Sequence, residues 1–366
     1  MSLKSIYRSF IDRISNLSYR IEWLKTIIAE WYAIIRKRSI YKDVKWSRKQ
    51  KRDFNAFWIK NYGKKIPSWW HKLYQKCSGE FCVDYMPELI YSTKIEPMLC
   101  DYKYSKALED KFLVEILSMN SGCVVPETVV ACSNGSYYDS DRRVISKKKA
   151  MQIVLNTTEM IAKPTVGSSS GHGIIVIKEP DPKVVKSVFS SFGNDFIIQK
   201  LIVPHESFAK YNPSSINTIR ITTYILNGKI YHFPLCFRIG RSGKSIDNIH
   251  SGGIGIGVRD DGSLLEYAYD LGYGDCIKKM KEHPDSGVVF DGNVLPSVKR
   301  ILDSAYRMQG RFPHIKIISW DFTVNNKGEA VLIEANIKGQ AVWFPQMIFG
   351  KSVFGEHTKE ILKLIR

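Results

Sequence analysis

The sequence lacks any apolar run long enough to span a bilayer, and its first residues hold no continuous apolar core of the kind a signal peptide needs. These absences lead to the expectation of a cytoplasmic protein. Cysteine is sparse. The seven residues (Cys77, Cys82, Cys100, Cys123, Cys132, Cys236, Cys276) are odd in number, scattered and without a Cys-x-x-Cys pair, which argues for free thiols and against structural zinc. There is no Gly-x-x-x-x-Gly-Lys-Ser/Thr loop, no Gly-x-Ser-x-Gly elbow, no Cys/His pair, no nucleic-acid motif, and no repeat or low-complexity tract. Covalent nucleophilic catalysis is therefore not indicated, and nucleic acid is not an expected partner. Acidic residues are in deficit, 36 against 54 Lys+Arg, so the formal charge of +18 points to polyanions such as nucleotide phosphates, anionic lipid or an acidic glycan.

What is present suits a packed protein: 366 residues, 44% hydrophobic and 12% aromatic, are enough for two or three lobes. Leu3, Ile6, Phe10, Ile14, Leu17, Ile21, Leu24, Ile28, Trp31 and Ile35 recur every three or four residues, one stripe of a long helix whose other faces carry Lys4, Arg8, Arg13, Arg20, Lys25 and Arg36–Arg38. That stripe packs on the protein, pairs with another helix, or lets residues 1–38 rest peripherally on the inner membrane face. Residues 1–68 read as a basic helical region, with coil over Lys42 to Arg52 and helix near Phe54 to Tyr62. Residues 69–157 read as a small α/β lobe and residues 158–366 as two further lobes. Helices are predicted near 105–119, 149–155, 184–192 and 296–310. Strands are predicted near 124–131, 159–163, 173–177, 195–200, 216–226, 229–239, 252–258, 264–267, 317–324 and 330–336. Asn227-Gly228 and Asp260-Asp-Gly-Ser263 mark hairpin turns.

Two distant segments read as halves of one nucleotide site. Lys163 ends a strand directly before Pro-Thr-Val-Gly167-Ser168-Ser169-Ser170-Gly171-His-Gly173, whose backbone N–H groups and hydroxyls can cradle phosphate. In Leu332-Ile-Glu334-Ala-Asn336, Glu334 and Asn336 share one strand face while Ile333 and Ala335 turn to the core. A two-residue Lys327-Gly328 turn places Asp321 directly opposite Glu334, a pair of hard oxygen donors suited to Mg²⁺. Phosphates and metal together suggest ATP. His205, His232 and His250 have no metal-ligand spacing, although His250 precedes Gly252-Gly253, where backbone can approach a substrate.

Lys163 with its loop, Phe196-Ile-Ile-Gln199-Lys200-Leu-Ile202, and Asp321 with Glu334-Ala-Asn336 resemble the ATP-grasp superfamily. Pro213-Ser-Ser-Ile-Asn217-Thr-Ile-Arg220, His250-Ser-Gly252-Gly253 and Ser319-Trp320-Asp321 are similar to its sugar-transfer-associated branch, found with bacterial surface-polysaccharide genes. The resemblance, over about Lys106 to Gln346, implies an α/β (α+β) fold with ATP held between two lobes. It implies that Lys111, Lys163, Ser168, Ser169, Ser170 and Gly171 meet phosphates, that Gln199, Lys200 and Ile202 meet adenine, and that Glu206 meets ribose. It implies catalytic roles for Lys163 and for Arg220 or Arg238, substrate contacts for Arg238, His250, Gly252 and Gly253, and Mg²⁺ ligation by Asp321, Glu334 and Asn336. Ser319 stands where some ATP-grasp ligases carry an arginine. The implied activity joins an amino acid or other amine to a carboxylate, such as a uronic acid of an acidic or lipid-linked glycan, through an acylphosphate. A phosphotransferase acting on a sugar or lipid hydroxyl and a non-catalytic polyanion binder are the alternative classes.

Overall fold

The computed structural model describes residues 3–167, 173–241, 243, 247–270 and 277–366. The chain forms two compact units. One runs from the N-terminus to Met98 and takes in Ala341–Arg366; the other holds Leu99–Tyr273 and Ile277–Gln340. This division differs from a boundary at residue 68, because Trp69–Met98 and the C-terminal segment pack with the N-terminal helices.

The first unit is helical. Its long helix, Leu3–Arg36, is followed by Arg48–Tyr62, which begins earlier than the predicted coil allowed because Ser47 and Gln50 form a capping box. Trp46, Phe54, Trp58 and His71 pack edge to face around Trp70, Leu73 and Tyr74. Burial pushes the His71 imidazole down to about 3, so this histidine is a neutral core group. The C-terminal segment is tied in by polar bonds: Gln346 brackets the backbone of Met86 at 2.7 and 2.9 Å, and Glu88 accepts the N–H groups of Val342 and Trp343. Among the described residues no helix is long and apolar enough to cross a membrane.

The second unit holds two antiparallel sheets. The first has the order β3-β2-β1-β6-β4-β5, formed by β1 (Thr128–Ser133), β2 (Ser136–Asp139), β3 (Val144–Ile145), β4 (Met160–Pro164), β5 (Ile175–Ile177) and β6 (Phe196–Lys200). Alternation along β4 and β6 sends Met160, Ala162, Phe196 and Ile198 into a core with Val154 and Val185 from the helices Lys147–Leu155 and Pro182–Ser191. Ile197, and with it Lys163 and Gln199, lies on the opposite face, where Ala131 and Phe112 pack.

The second sheet runs β12-β11-β10-β9-β7-β13-β14, with β8 beside β7. Its strands are β7 (Thr218–Leu226), β8 (Lys229–His232), β9 (Leu235–Ile239), β10 (Ile254–Val258), β11 (Leu264–Asp270), β12 (Lys278–Met280), β13 (Ile317–Val324) and β14 (Ala330–Asn336). The single strand predicted over 229–239 is two strands, divided at Phe233-Pro234, both paired to β7. One face buries Ile219, Ile221, Phe237, Ile256 and Trp320. There Trp320 donates to Thr223 at 2.7 Å, and Thr223 donates to Gln309 of the helix Val298–Gln309. The other face carries charge.

Candidate active site

The charged face follows from strand register. Asp321 on β13 lies between Arg220 on β7 and Glu334 on β14, and Arg238 on β9 is opposite Thr218. The Asp321–Glu334 pairing agrees with the expectation but is reached differently. The turn spans Asn325–Glu329, closed by the Asn325 side chain, and a bulge between Asp321 and Phe322 restores the offset. One consequence is that Leu332, not Ile333, is buried: the bulge leaves Ile333 half-buried.

Asp321 is 1% exposed, and both its oxygens are engaged by guanidinium. Arg220 forks onto them at 2.8 and 2.7 Å, and Arg238 reaches Oδ2 at 2.9 Å. These cations outweigh the burial cost and hold the carboxyl well below the usual range. Glu334 is shifted the other way, upward, by burial and by the Asp321 charge. Asn336 donates to Asp321 at 3.2 Å and lies 3.5 Å from Glu334. Lys111 stands 3.6 Å from Glu334, placed by the Asp110 N-cap and by its own N–H, which donates to Thr165. Lys163 is buried on β4 near both. Burial first, then the Lys111 charge, lowers its ammonium to about 7, against the pull of Glu334. Lys111, Lys163, Arg220, Arg238, Asp321, Glu334 and Asn336 therefore form one cluster.

Among the described residues no three His, Cys, Asp or Glu side chains gather as a metal centre. The donors nevertheless fit a cation that keeps water and phosphate oxygens as its remaining ligands, as Mg²⁺ does. Glu334 is a carboxylate with a raised proton affinity beside a second carboxylate, and a dication removes that conflict. Asp321 is already committed to two arginines, and Asn336 must turn its amide oxygen inward to join Glu334.

The remaining assignments fall into three groups. Ser168, Ser169, Ser170, Gly171 and the His250 side chain lie outside the described residues. Gly167 and Gly173, which flank the loop, both have positive φ (76° and 72°), a conformation glycine adopts without strain. Gly252 and Gly253 open β10 close to Arg238: a Cβ on Gly253 would sit 2.7 Å from the Asp247 carbonyl, and the Asp247 carboxylate is 3.9 Å from Arg238. On the segment expected to meet adenine, Gln199 shares the face of Lys163, is buried, and leaves its Oε1 without a partner. Lys200 points to the other face, pairs with Glu127 at 3.0 Å and lines a cavity of about 520 Å³ with Thr157 and Glu159. Its side chain is therefore turned away from Lys163. Ile202 N–H donates to no backbone carbonyl among the described residues, and Glu206 is exposed at the start of a short helix.

Sequence reasoning missed several contributors. Asp247 and Thr218 hold Arg238, with Thr218 accepting at 2.7 and 3.1 Å. Glu109 accepts the N–H groups of Ile337 and Lys338 just beyond Asn336. Ser319 bonds to Thr222 at 2.7 Å. On β10, Gly255 and Gly257 stand opposite Arg238 and Cys236, so the strand beside the arginine offers bare backbone on this face. The glycine alternation was the one signal available in the sequence.

Residues 183–362 match the family model for sugar-transfer associated ATP-grasp. This region belongs to that family. The match takes in Gln199, Arg220, Arg238, Asp321, Glu334 and Asn336, and begins after Lys111 and Lys163. No curated protein matches the chain. Among solved structures the chain is similar to N5-carboxyaminoimidazole synthetase from Staphylococcus aureus complexed with ADP, at 11% identity, 66% of this chain, 48% of that one and TM-score 0.40. It is also similar to D-alanyl-alanine synthetase A from Vibrio cholerae, at 12% identity, 73% and 67% coverage and TM-score 0.45. For the VanG D-Ala:D-Ser ligase from Enterococcus faecalis the values are 16% identity, 72% and 62% coverage and 0.41. The chain thus spans about half the length of the first of these.

The Lys163 environment carries a prediction of its own. An ammonium lowered to about 7 is mostly neutral at pH 8, and an anion placed beside it would return its proton. If Lys163 meets the phosphates of ATP, affinity for the nucleotide is expected to weaken above about pH 7, by up to about tenfold per pH unit. Calorimetry at pH 8 in buffers of different ionisation heat is expected to show uptake of close to one proton, absent in Lys163→Met. A pH-independent affinity from 6 to 9 contradicts this.

Proposed function

We propose that this protein is an ATP- and Mg²⁺-dependent carboxylate–amine ligase acting through an acylphosphate, joining an amino acid to a uronic acid of a capsular or other surface glycan. The observation that carries the reading is the gathering of Lys111 and Lys163 with Glu334, beside an Asp321 held by Arg220 and Arg238. Such a cluster pairs cations for phosphate oxygens with a carboxylate for the metal, and the glycines of β10 leave room beside Arg238. The family match supports the sugar context.

In this reading a carboxylate oxygen attacks the γ-phosphorus, the bond to the β–γ bridging oxygen breaks, and ADP departs. The amine nitrogen then attacks the acyl carbon, phosphate leaves with the bonding pair, and the amine loses a proton to solvent. Lys111 and Lys163 neutralise charge moving onto ADP. Arg220, with its side chain 34% exposed, is the more accessible arginine for the transferred phosphoryl group, while Arg238, at 10%, faces the acceptor. Glu334 and Asn336 would hold Mg²⁺, which supplies charge neutralisation at the phosphates. No buried general base is required.

The test is product analysis with Mg-ATP, a panel of amino acids and a panel of uronate glycans. ADP and phosphate released only when both co-substrates are present support the ligase. A stable phosphorylated sugar or lipid replaces it with a phosphotransferase, and salt-sensitive polyanion binding without ATP consumption removes catalysis altogether.

A further inference from the structure

The lysines and the oxygen donors of the cluster come from different parts of the second unit, and one short segment, Glu109-Asp110-Lys111, meets both. Glu334 and Asn336 lie at the end of β14, the last strand of its sheet. Their ladder stops at the Ser319–Asn336 pair, so the N–H groups of Ile337 and Lys338 need acceptors from outside the sheet. Glu109 Oε1 accepts both, at 2.9 and 3.1 Å. Asp110 caps the helix Lys111–Ser118 by accepting from Phe112 and Leu113. Lys111 gives its own N–H, one of the donors a helix leaves unpaired in its first turn, to the Thr165 carbonyl at 3.0 Å. Thr165 is buried, two residues beyond Lys163 and directly past the end of β4.

We infer that Glu109 is a positioning residue: its carboxylate ties the backbone just beyond Asn336 to the segment that carries Lys111, and so fixes Glu334 and Asn336 relative to Lys111 and Lys163. This role rests on the Mg-ATP site of the proposed ligase. Holding the turn alone would need less. The carbonyls there are already engaged by the Gln340 amide, which donates to Asn336 at 3.0 Å, to Ile337 at 3.3 Å and to Ile317 on β13 at 3.0 Å. Earlier on β14, Leu332 donates to the Val124 carbonyl at 2.9 Å, four residues before Asn336. The charge-assisted anchor nearest the oxygen donors is therefore Glu109, and it comes from the residue two before Lys111, whose ammonium is 3.6 Å from Glu334. A group that holds metal ligands in place from behind is worth about 10–100-fold in metal affinity. Lys111 and Lys163 keep their own supports, the Asp110 cap, the Thr165 bond and strand β4, when Glu109 is changed. The loss falls on the metal side of the site and spares the phosphate side.

Titration of Mg²⁺ at fixed ATP, read as equilibrium binding of the nucleotide to the full chain, tests it. Glu109→Ala is expected to raise the Mg²⁺ concentration at half-saturation by about tenfold or more, while affinity for ATP in EDTA stays that of the parent. Glu109→Gln keeps an acceptor oxygen at roughly half the strength and is expected to recover most of the loss. Parental Mg²⁺ dependence in Glu109→Ala overturns the inference. So does an equal loss of metal-free ATP affinity, the mark of a general structural role. A parent chain that binds no Mg-ATP removes the ligase reading instead, and amide exchange on the metal-free protein keeps the two failures apart. Ile337 and Lys338 are expected to exchange about tenfold faster in Glu109→Ala; unchanged exchange overturns the anchor itself.

Discussion

Glu334→Gln is expected to lower ATP turnover by about 10²–10³-fold, the scale of removing one preorganised electrostatic contact at a transferring phosphoryl group. Its side chain is the carboxylate nearest Lys111, and it alone in the cluster is neither saturated by arginine nor far from the lysines. Stability should move the opposite way. Burial and the Asp321 charge raise the folded-state affinity of Glu334 for a proton, so its charged form costs stability as pH rises above the ordinary carboxylate range. A neutral amide relieves that cost. The thermal midpoint at pH 7 is therefore expected to hold or rise while turnover collapses. Retained turnover, or a loss of turnover accompanied by a large drop in midpoint, contradicts this account.

Asp321→Ala is expected to do the reverse, destabilising the second unit by about 3–5 kcal/mol by removing the carboxylate that both guanidiniums contact and leaving Arg238 only Asp247 at 3.9 Å. In thermal melting this corresponds to a fall on the order of 10 °C. Arg238 dominates because its side chain is the less exposed of the two. The sign with pH is fixed by the depressed carboxyl: its stabilisation is fully present above the unfolded-state value and lost as pH falls through the folded one. Urea denaturation should show an undiminished deficit of the variant from pH 5 to 8. Asp321→Ala combined with Arg238→Met should recover part of the loss. A single variant as stable as the parent would mean that solvent compensates both guanidiniums.

Much of the second unit was legible because its signals are local. The Asn227-Gly228 turn, the alternation through 216–226 and the strand before the Gly/Ser loop each report on residues that meet their own neighbours. Glu334 and Asn336 share a face for the same reason, since a strand has period two. The break at Phe233-Pro234 was present in the sequence as a proline but was read through. Asp247 carried no local signal at all, because its role exists only through Arg238 and Thr218.

The N-terminal stripe shows the limit of periodicity from the other side. Spacing placed ten apolar residues on one line, yet Leu17, Ile21, Leu24, Ile28 and Ile35 of that line are exposed while Trp31 packs on Trp69 and Trp70, and the docked side also carries Trp23, Glu30 and Ile34. Lys200 is similar: its neighbours in sequence suggested a hinge residue, and the register against β4 turned its side chain to the opposite face.

By itself the sequence determined the kinds of element, the turn positions and the presence of lysines, glycines and oxygen donors suited to phosphate and metal, all consequences of short-range geometry. Only the tertiary structure decided that two arginines own Asp321, that a bulge sets Glu334 opposite it, and that Lys111 and Lys163 converge on Glu334 while Lys200 does not. Those outcomes depend on which distant strands pair and on the burial they create. Burial sets the balance between desolvation and charge that makes one carboxylate acidic and its neighbour basic.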